Sequence, residues 1–473
     1  MLKRLMIASI AVCIMLSFSS CKEEKTNNTV QTNVEELDEI YESALSDERY
    51  DGYNFRMLVR QGKLNTQCPA EQTNELVEDA TYKRNKAVEE RYGIKISAYE
   101  SSDSNYETDA LNTILAGDDA YDLVFAHTRA AFSYAVQGAS YDINEIESID
   151  IDRPWWSQDL KDTCAINDHL YVLDGDISPD GLGHAMCLYF NKNIFDELGL
   201  DYPYDLVLEG EWTFDEFEKL VAQGAKDLNG DGIISPDSDR YGFLTSEWSA
   251  PINILYSSGQ RIYSKNDEGD IELSLYSSRT ADLFDDFFSL MDDEASFLAI
   301  SEGENKSLVQ PKFTAGNVMF VAGGLTDARW MRSMEDDFGI LPYPKYEYDD
   351  AYTTTVNAGA PLALIPVTVS DVERTGAITE ALGVYGAKLV IPAFYDVTLK
   401  TKFARDNESE EMLDIIKASI IYDLGYMSGN ALAYVGRDLA LAESHDFSSY
   451  YAGNESTALW NLKEFNTAYS KLG

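Results

Sequence analysis

The sequence predicts an α/β protein with two doubly wound lobes, and three observations predict it. Strand-like apolar runs alternate with segments of helical period over residues 54–126. The 473-residue length exceeds what one core holds, so two domains of about 150–220 residues are expected. Hydrophobic residues make up 45% and aromatics 12%, with 30 tyrosines; that is ample material for packed cores and excludes global disorder.

Asn54-Phe55-Arg56-Met57-Leu58-Val59 reads as the first strand. Residues from Asn74 to Tyr92 have helical spacing, with Gly93 placed to stop the helix. Ile94-Lys95-Ile96-Ser97-Ala98-Tyr99 alternates like a half-buried strand. Ala110, Leu111, Ile114 and Leu115 share one helical face, closed by Gly117. Tyr121-Asp122-Leu123-Val124-Phe125-Ala126 suits a buried parallel strand. In the second lobe, Leu188-Tyr189-Phe190 reads as a strand and Asn191–Leu198 as a helix stopped by Gly199. Thr213 and Glu216 form a capping box, and Trp212 is placed to staple onto Phe217. Residues 318–321, 338–342 and 362–365 read as extended, and the last hundred residues as mainly helical.

The first residues are an address. Lys3 and Arg4 precede an apolar run from Leu5 to Phe18, shorter than the roughly 20 residues a bilayer needs. Ser19-Ser20-Cys21 resembles a bacterial lipoprotein cleavage site, which implies a signal peptide over 1–20 and lipidation of Cys21. The alternative is an ordinary signal peptide with an incidental cysteine. Polar, acidic residues 21–50 read as a flexible linker, and no later segment reads as long and apolar enough to span a membrane. Cys68, Cys164 and Cys187 are widely spaced and allow at most one disulfide. The four histidines are scattered, so no zinc cluster is expected.

Charge narrows the function. With 37 basic and 82 acidic residues the net charge is −45, and no basic block interrupts it. Nucleic-acid binding is excluded, because phosphate neutralisation needs clustered Lys and Arg. The same charge argues against anionic lipid surfaces and, more weakly, against strongly anionic ligands.

Six segments in order resemble the extracellular solute-binding proteins of ABC importers, in the family that binds carbohydrates. They are the lipoprotein-like start, YDLVFAHTRAAFSYAVQGASYDINEI (121–146), LYFNKNIFDELGL (188–200), WTFDEFEKLVAQGAKDLNGDGIISPDSDRYGF (212–243), FTAGNVMFVAGG (313–324) and DFGILPYPKY (337–346). The resemblance implies a periplasmic-binding-protein-like fold, with two discontinuous α/β lobes joined by a hinge. It puts lobe 1 at 51–178 and 317–367, and lobe 2 at 179–316 and 368–473. It further implies a monomer lipid-anchored at the outer face of the cell membrane, which hands a carbohydrate to ABC permease subunits.

A sugar presents C–H faces that pack on aromatic rings and hydroxyls that need polar partners, so a cleft for it combines both. His127-Thr128-Arg129 follows the buried strand, where α/β sheets meet ligands; His127 and Arg129 are therefore candidates, against a solvated loop. Of Trp155 and Trp156, one is expected in the core and the other, assigned as Trp156, in the cleft. Trp248 follows the strand near Tyr241-Gly242-Phe243. Gly324 and Trp330 follow a strand end, and the resemblance implies an aromatic there that stacks on sugar. Asp180, with Asp174 and Asp176, lies near the expected first crossing and is read as a hydroxyl acceptor or a solvated turn.

Asp227, Asn229, Asp231 and the Ile233 carbonyl occupy positions 1, 3, 5 and 7 of a calcium loop, with Gly232 at 6. Asp237 and Asp239 flank Ser238, which stands where such loops carry Glu. A structural calcium ion is thus an expectation, against a polar turn; no cofactor is required. No Walker loop, HExxH, GxSxG or GxGxxG is present. The reading is a binder and not an enzyme. The rivals are a surface-anchored glycoside hydrolase and a sugar-sensing subunit.

Overall fold

The structure, a computed structural model, describes residues 37–102, 107–235, 238–266, 270–400 and 408–472. The signal peptide, Cys21 and most of the linker lie outside the described residues, as does Asp237. The chain divides into Met1–Leu45 and Ser46–Gly473. Of the first unit a short helix over 37–43 is described. Besides two two-stranded sheets, the second unit carries, among the described residues, two larger ones.

Nine strands form these sheets: β1 (Asn54–Val59), β2 (Lys95–Glu100), β3 (Leu123–His127), β4 (Met186–Asn191), β5 (Tyr241–Ser246), β6 (Ser296–Ala299), β7 (Val318–Gly324), β8 (Phe338–Leu341) and β9 (Pro361–Leu364). The first sheet has the order β9-β3-β1-β2, parallel except for β9. The second has the order β8-β4-β7-β5-β6 and is mixed: β4 runs antiparallel to β8 and β7, whereas β5 runs parallel to β7 and β6. Every residue of β4 and β5 is buried, as expected for strands covered on both faces.

The helices that matter below are α1 (Leu76–Tyr92), α2 (Thr108–Leu115), α3 (Thr128–Val136), α4 (Phe214–Gly224), α5 (Val372–Tyr385), α6 (Val435–Leu441) and α7 (Phe447–Tyr469). Gly93 stops α1 in the left-handed region at φ +71°, its N–H on the Glu89 carbonyl. The Thr213 hydroxyl accepts from the Glu216 N–H, and Trp212 meets Phe217 edge-on at 5.9 Å. The Thr213 half of the expected capping box and the staple thus form where the sequence places them; among the described residues the Glu216 carboxylate makes no return bond to the Thr213 N–H.

Three expectations change. The resemblance puts residues 317–367 in lobe 1, but β7 and β8 lie in the second sheet and only β9 joins the first. An apolar run such as Val318-Met319-Phe320-Val321 says that a strand is buried; it does not say between which partners. The resemblance puts residues 368–473 in lobe 2, yet α5 packs on α1, and α7 packs on α3, which follows β3 of the first sheet. Last, Val372–Val397 forms one 26-residue helical run that is long and apolar enough to cross a membrane, contrary to the sequence reading. Two-thirds of its most apolar stretch is buried in this unit, so its composition is that of a core helix. Cys68, Cys164 and Cys187 are free.

Candidate functional site

The site grows from the carboxyl end of β3. In the antiparallel register Pro361 of β9 stands opposite His127, so residues 357–359 run alongside the end of β3. His127 caps α3: its Nδ1 accepts from the Arg129 N–H at 3.2 Å. Thr128 donates its hydroxyl to the Ala358 carbonyl at 3.1 Å, which fixes the loop to the first turn of α3. This arrangement projects His127, Arg129 and Asn357 into one cavity of about 630 Å³.

The opposite wall is aromatic. Trp248 follows β5 by two residues and is 36% exposed. Its ring meets Tyr434 edge-on at 5.5 Å, and Tyr434 meets Tyr426 edge-on at 5.8 Å. The Arg437 guanidinium lies over Trp248 at 4.2 Å. Tyr426 accepts the Ala358 N–H at 3.0 Å, and Asn357 Nδ2 donates to the Trp248 carbonyl at 3.3 Å. Tyr134, with its hydroxyl on the Glu107 carbonyl at 2.7 Å, completes the lining along with Ser133, Thr108 and Leu111. The cavity therefore joins the end of the first sheet to the end of β5 in the second.

Its electrostatics are simple. Burial, then the Arg60 and Arg129 charges, lower the His127 imidazole to about 4, so it is neutral at pH 7. Arg129 Nη2 donates to the Tyr434 hydroxyl at 2.9 Å. Gly429 sits in the left-handed region at φ +74°, and a Cβ there would stand 2.5 Å from Arg129 Nε. Only glycine leaves the guanidinium its place.

Of the seven ligand candidates, His127, Arg129 and Trp248 line this cavity together; the other four stand elsewhere. Trp156 is 2% exposed, and its Nε1 donates to Glu380 at 2.9 Å; Trp155 donates to the other Glu380 oxygen at 3.0 Å. Both indoles are in the core, so the expected division between them does not occur. Gly324 ends β7, accepts the Tyr189 hydroxyl and donates to Asp327, which makes it a strand-to-helix turn. Trp330 packs edge-on against Phe313 at 6.3 Å, half-buried on the core beside the second sheet. Asp180 is buried and accepts from Lys63 (2.7 Å), Gln67 (2.6 Å) and Thr66 (3.2 Å). Burial pushes its carboxyl up, but Lys63 and these donors hold it below the usual range. Asp174 takes the Tyr422 hydroxyl at 2.5 Å and is raised by burial to about 7, while Asp176 pairs with Lys417 at 3.0 Å. The crossing carboxylates tie the chain to itself.

In the 227–239 loop, Asp227 accepts from Gly230 and Gly232, Asn229 from Asp231, and Asp231 from Ile233. Asp239 takes Leu228 and Ser235 N–H groups and two serine hydroxyls. The donors are hard oxygens, as calcium requires. Among the described residues, however, no three His, Cys, Asp or Glu side chains gather as a ligand group.

Sequence reasoning missed Tyr134, Asn357, Tyr426 and Tyr434. Tyr426 lies in a Gly- and Asn-containing stretch (Gly425-Tyr426-Met427-Ser428-Gly429-Asn430), a weak loop signal among 30 tyrosines, and Tyr434 follows four residues after its end. It also missed buried Arg84, whose guanidinium donates to the Gln67 carbonyl at 2.8 Å and to that of Ile177.

The family described as bacterial extracellular solute-binding protein matches residues 70–363. Solved structures share the fold. An ABC substrate-binding protein of Listeria monocytogenes, in complex with cycloalternan, superposes with a TM-score of 0.54 at 15% identity, covering 89% of this chain and 99% of that one. The GacH receptor of Streptomyces glaucescens, solved unliganded and with acarbose, gives 0.55 at 13% identity over 89% and 99%. A sugar transporter of Rhizobium etli in an open conformation gives 0.59 at 15% identity, again over 89% and 99%. No curated protein matches the chain at the sequence level.

Proposed function

The chain belongs to the bacterial extracellular solute-binding proteins, and from that premise we propose that it captures a carbohydrate in the His127–Trp248–Tyr434 cavity and delivers it to an ABC permease. The observation that carries this reading is the composition of the cavity. A wall of edge-packed rings faces the polar end of β3, which is the pairing that sugar C–H faces and hydroxyls need. The cycloalternan and acarbose complexes of proteins with this fold support it.

The mechanism is capture and release. A ligand that touches Arg129 on one wall and Trp248 on the other favours the closed arrangement by its differential contacts. No Asp or Glu is among the described residues lining the cavity, so the paired carboxylates of glycoside cleavage are missing from this wall. In this reading the sugar leaves unaltered. The protein is a monomer held by a lipid on Cys21 at the outer face of the cell membrane; the small residues before Cys21 and the polar linker support that part.

Calorimetry against neutral and acidic oligosaccharides tests the reading. Micromolar binding without turnover is expected, and release of shorter sugars would replace the binder by a hydrolase. Trp248→Ala is expected to weaken binding by about 2- to 12-fold, since an aromatic contact contributes about 0.5–1.5 kcal/mol beyond its buried area. Its melting temperature should stay within about 2 °C of the parent's, because Trp248 is partly exposed. Unchanged affinity would remove Trp248 from the site.

We also propose the 227–239 loop as a structural calcium clip, supported by its hard-oxygen donors and by Gly232 at φ +82° in position 6. Calcium added to EDTA-treated protein is expected to raise the melting temperature by a few degrees through mass action, and Asp231→Ala to abolish the rise. An identical melt with and without calcium refutes the clip.

A further inference from the structure

We propose that the carbohydrate bound in this cavity is acidic, with a uronic carboxylate seated on Arg129. The proposal rests on the carbohydrate reading above and deepens it.

The chain has 82 acidic residues against 37 basic ones, yet among the described residues the cavity wall holds no Asp or Glu. His127 is a neutral imidazole, so among the described residues Arg129 is the one charged side chain on that wall. The acids adjacent in sequence to lining residues are Glu107 and Glu247, both buried, and Asp109, which is exposed; none of the three is among the lining residues.

The arginines around the cavity differ in their partners. Arg60 pairs with Glu107 at 3.6 Å, and Arg437 pairs with Asp438 at 3.6 Å while covering Trp248. Arg129 is exposed, and among the described residues it has no carboxylate partner. It engages only a neutral phenol, the Tyr434 hydroxyl, through Nη2, and lies 5.5 Å from the centre of that ring. Gly429 clears the space beside its Nε. A guanidinium offers five N–H donors in a planar fork, and the Tyr434 bond uses one of them. The partner that matches such a fork is a carboxylate, held by two parallel charge-assisted bonds. A sugar carboxylate on Arg129 would leave the pyranose ring within the cavity that Trp248 and Tyr434 wall.

The net charge of −45 weakly disfavours a strongly anionic ligand, but it acts at long range. Salt screens exposed charges beyond about 8–10 Å, so the ligand's carboxylate responds to its nearest neighbours. Keeping acids off this wall while the rest of the surface is crowded with them is what an anion site in an acidic protein requires.

The experiment compares oligogalacturonates and oligoglucuronates with their methyl esters, which keep the skeleton and lose the charge. Titration calorimetry is run on the full chain in 50 mM and 500 mM NaCl. The free acid is expected to bind at least about tenfold more tightly than its ester in low salt, the advantage shrinking in high salt. Arg129→Gln should erase the advantage, and Arg129→Lys should retain part of it; a melting curve on each variant verifies folding. If neutral sugars or the esters bind as tightly as the acids, the acidic-ligand proposal is overturned and carbohydrate capture stands. If neither class binds, both fall.

Discussion

Asp122→Ala is expected to lower the unfolding free energy by about 3–5 kcal/mol, the cost of removing one member of a buried ion pair. Asp122 has no exposed surface, and it stands one residue before β3. Its two oxygens accept the Tyr53 hydroxyl (2.5 Å), the Arg56 N–H (2.7 Å), Arg56 Nε (3.0 Å) and Arg56 Nη2 (3.0 Å). In return the Asp122 N–H donates to the Arg56 carbonyl. The side chain thus extends the β1–β3 ladder below its first register pair, Met57 with Leu123. Alanine would leave the Arg56 N–H, the Tyr53 phenol and Arg56 Nε without this acceptor, while Asp119 still holds the two Nη atoms. Urea unfolding followed by circular dichroism measures the change. Lys306→Ala, which breaks an exposed i,i+4 pair with Glu302, serves as the contrast and should stay within about 1 kcal/mol. Equal effects of the two variants would refute the role given to Asp122.

The second large effect is a pH dependence centred on Glu380. This residue lies within α5, is 1% exposed, and receives the indole N–H groups of both Trp155 and Trp156. Burial raises its carboxyl from 4.5 to about 7; the two indoles pull it back only in part. Below pH 4.5 the group is protonated in the folded and unfolded states alike, and its contribution is fully present. Between 4.5 and 7 the unfolded chain releases the proton while the folded chain keeps it, so stability falls as pH rises. Above 7 the loss is complete and amounts to about 3 kcal/mol. Asp174, also raised to about 7 by burial, acts in the same direction. Urea midpoints of the wild type and Glu380→Gln at pH 5 and pH 8 test this. The wild type should lose more stability between the two pH values, by about 2–3 kcal/mol. Glutamine should cost a further, pH-independent amount, since its amide sets an N–H₂ against one indole N–H. An identical pH slope in the two proteins would refute the assignment.

Much of the fold is legible in the sequence where one physical signal dominates. Thr213, Glu216, Trp212 and Phe217 specify a helix start by local hydrogen bonding and one ring contact, and the helix starts there. Gly93 and Gly199 stop helices because they accept positive φ. His127 and Arg129 are legible as candidates because the end of a buried parallel strand is a recurring ligand position. The aromatic candidates are harder. Trp156, Trp248 and Trp330 look alike in sequence, since an indole suits both a core and a platform. What separates them is whether a partner claims the ring: Glu380 claims Trp156, Phe313 packs on Trp330, and Trp248 keeps a surface in the cavity.

By itself, then, the sequence determined the α/β class, the helix ends, the acidic character and the end of β3 as a ligand position, because these depend on neighbours a few residues apart or on composition. Only the tertiary structure decided that β7 and β8 belong to the second sheet, that Val372–Val397 is a core helix, and that Tyr426 and Tyr434 face His127 and Arg129 from about three hundred residues away. Those outcomes depend on which surfaces meet once the chain is compact. Burial removes a side chain from water without recording in the sequence which partner does so.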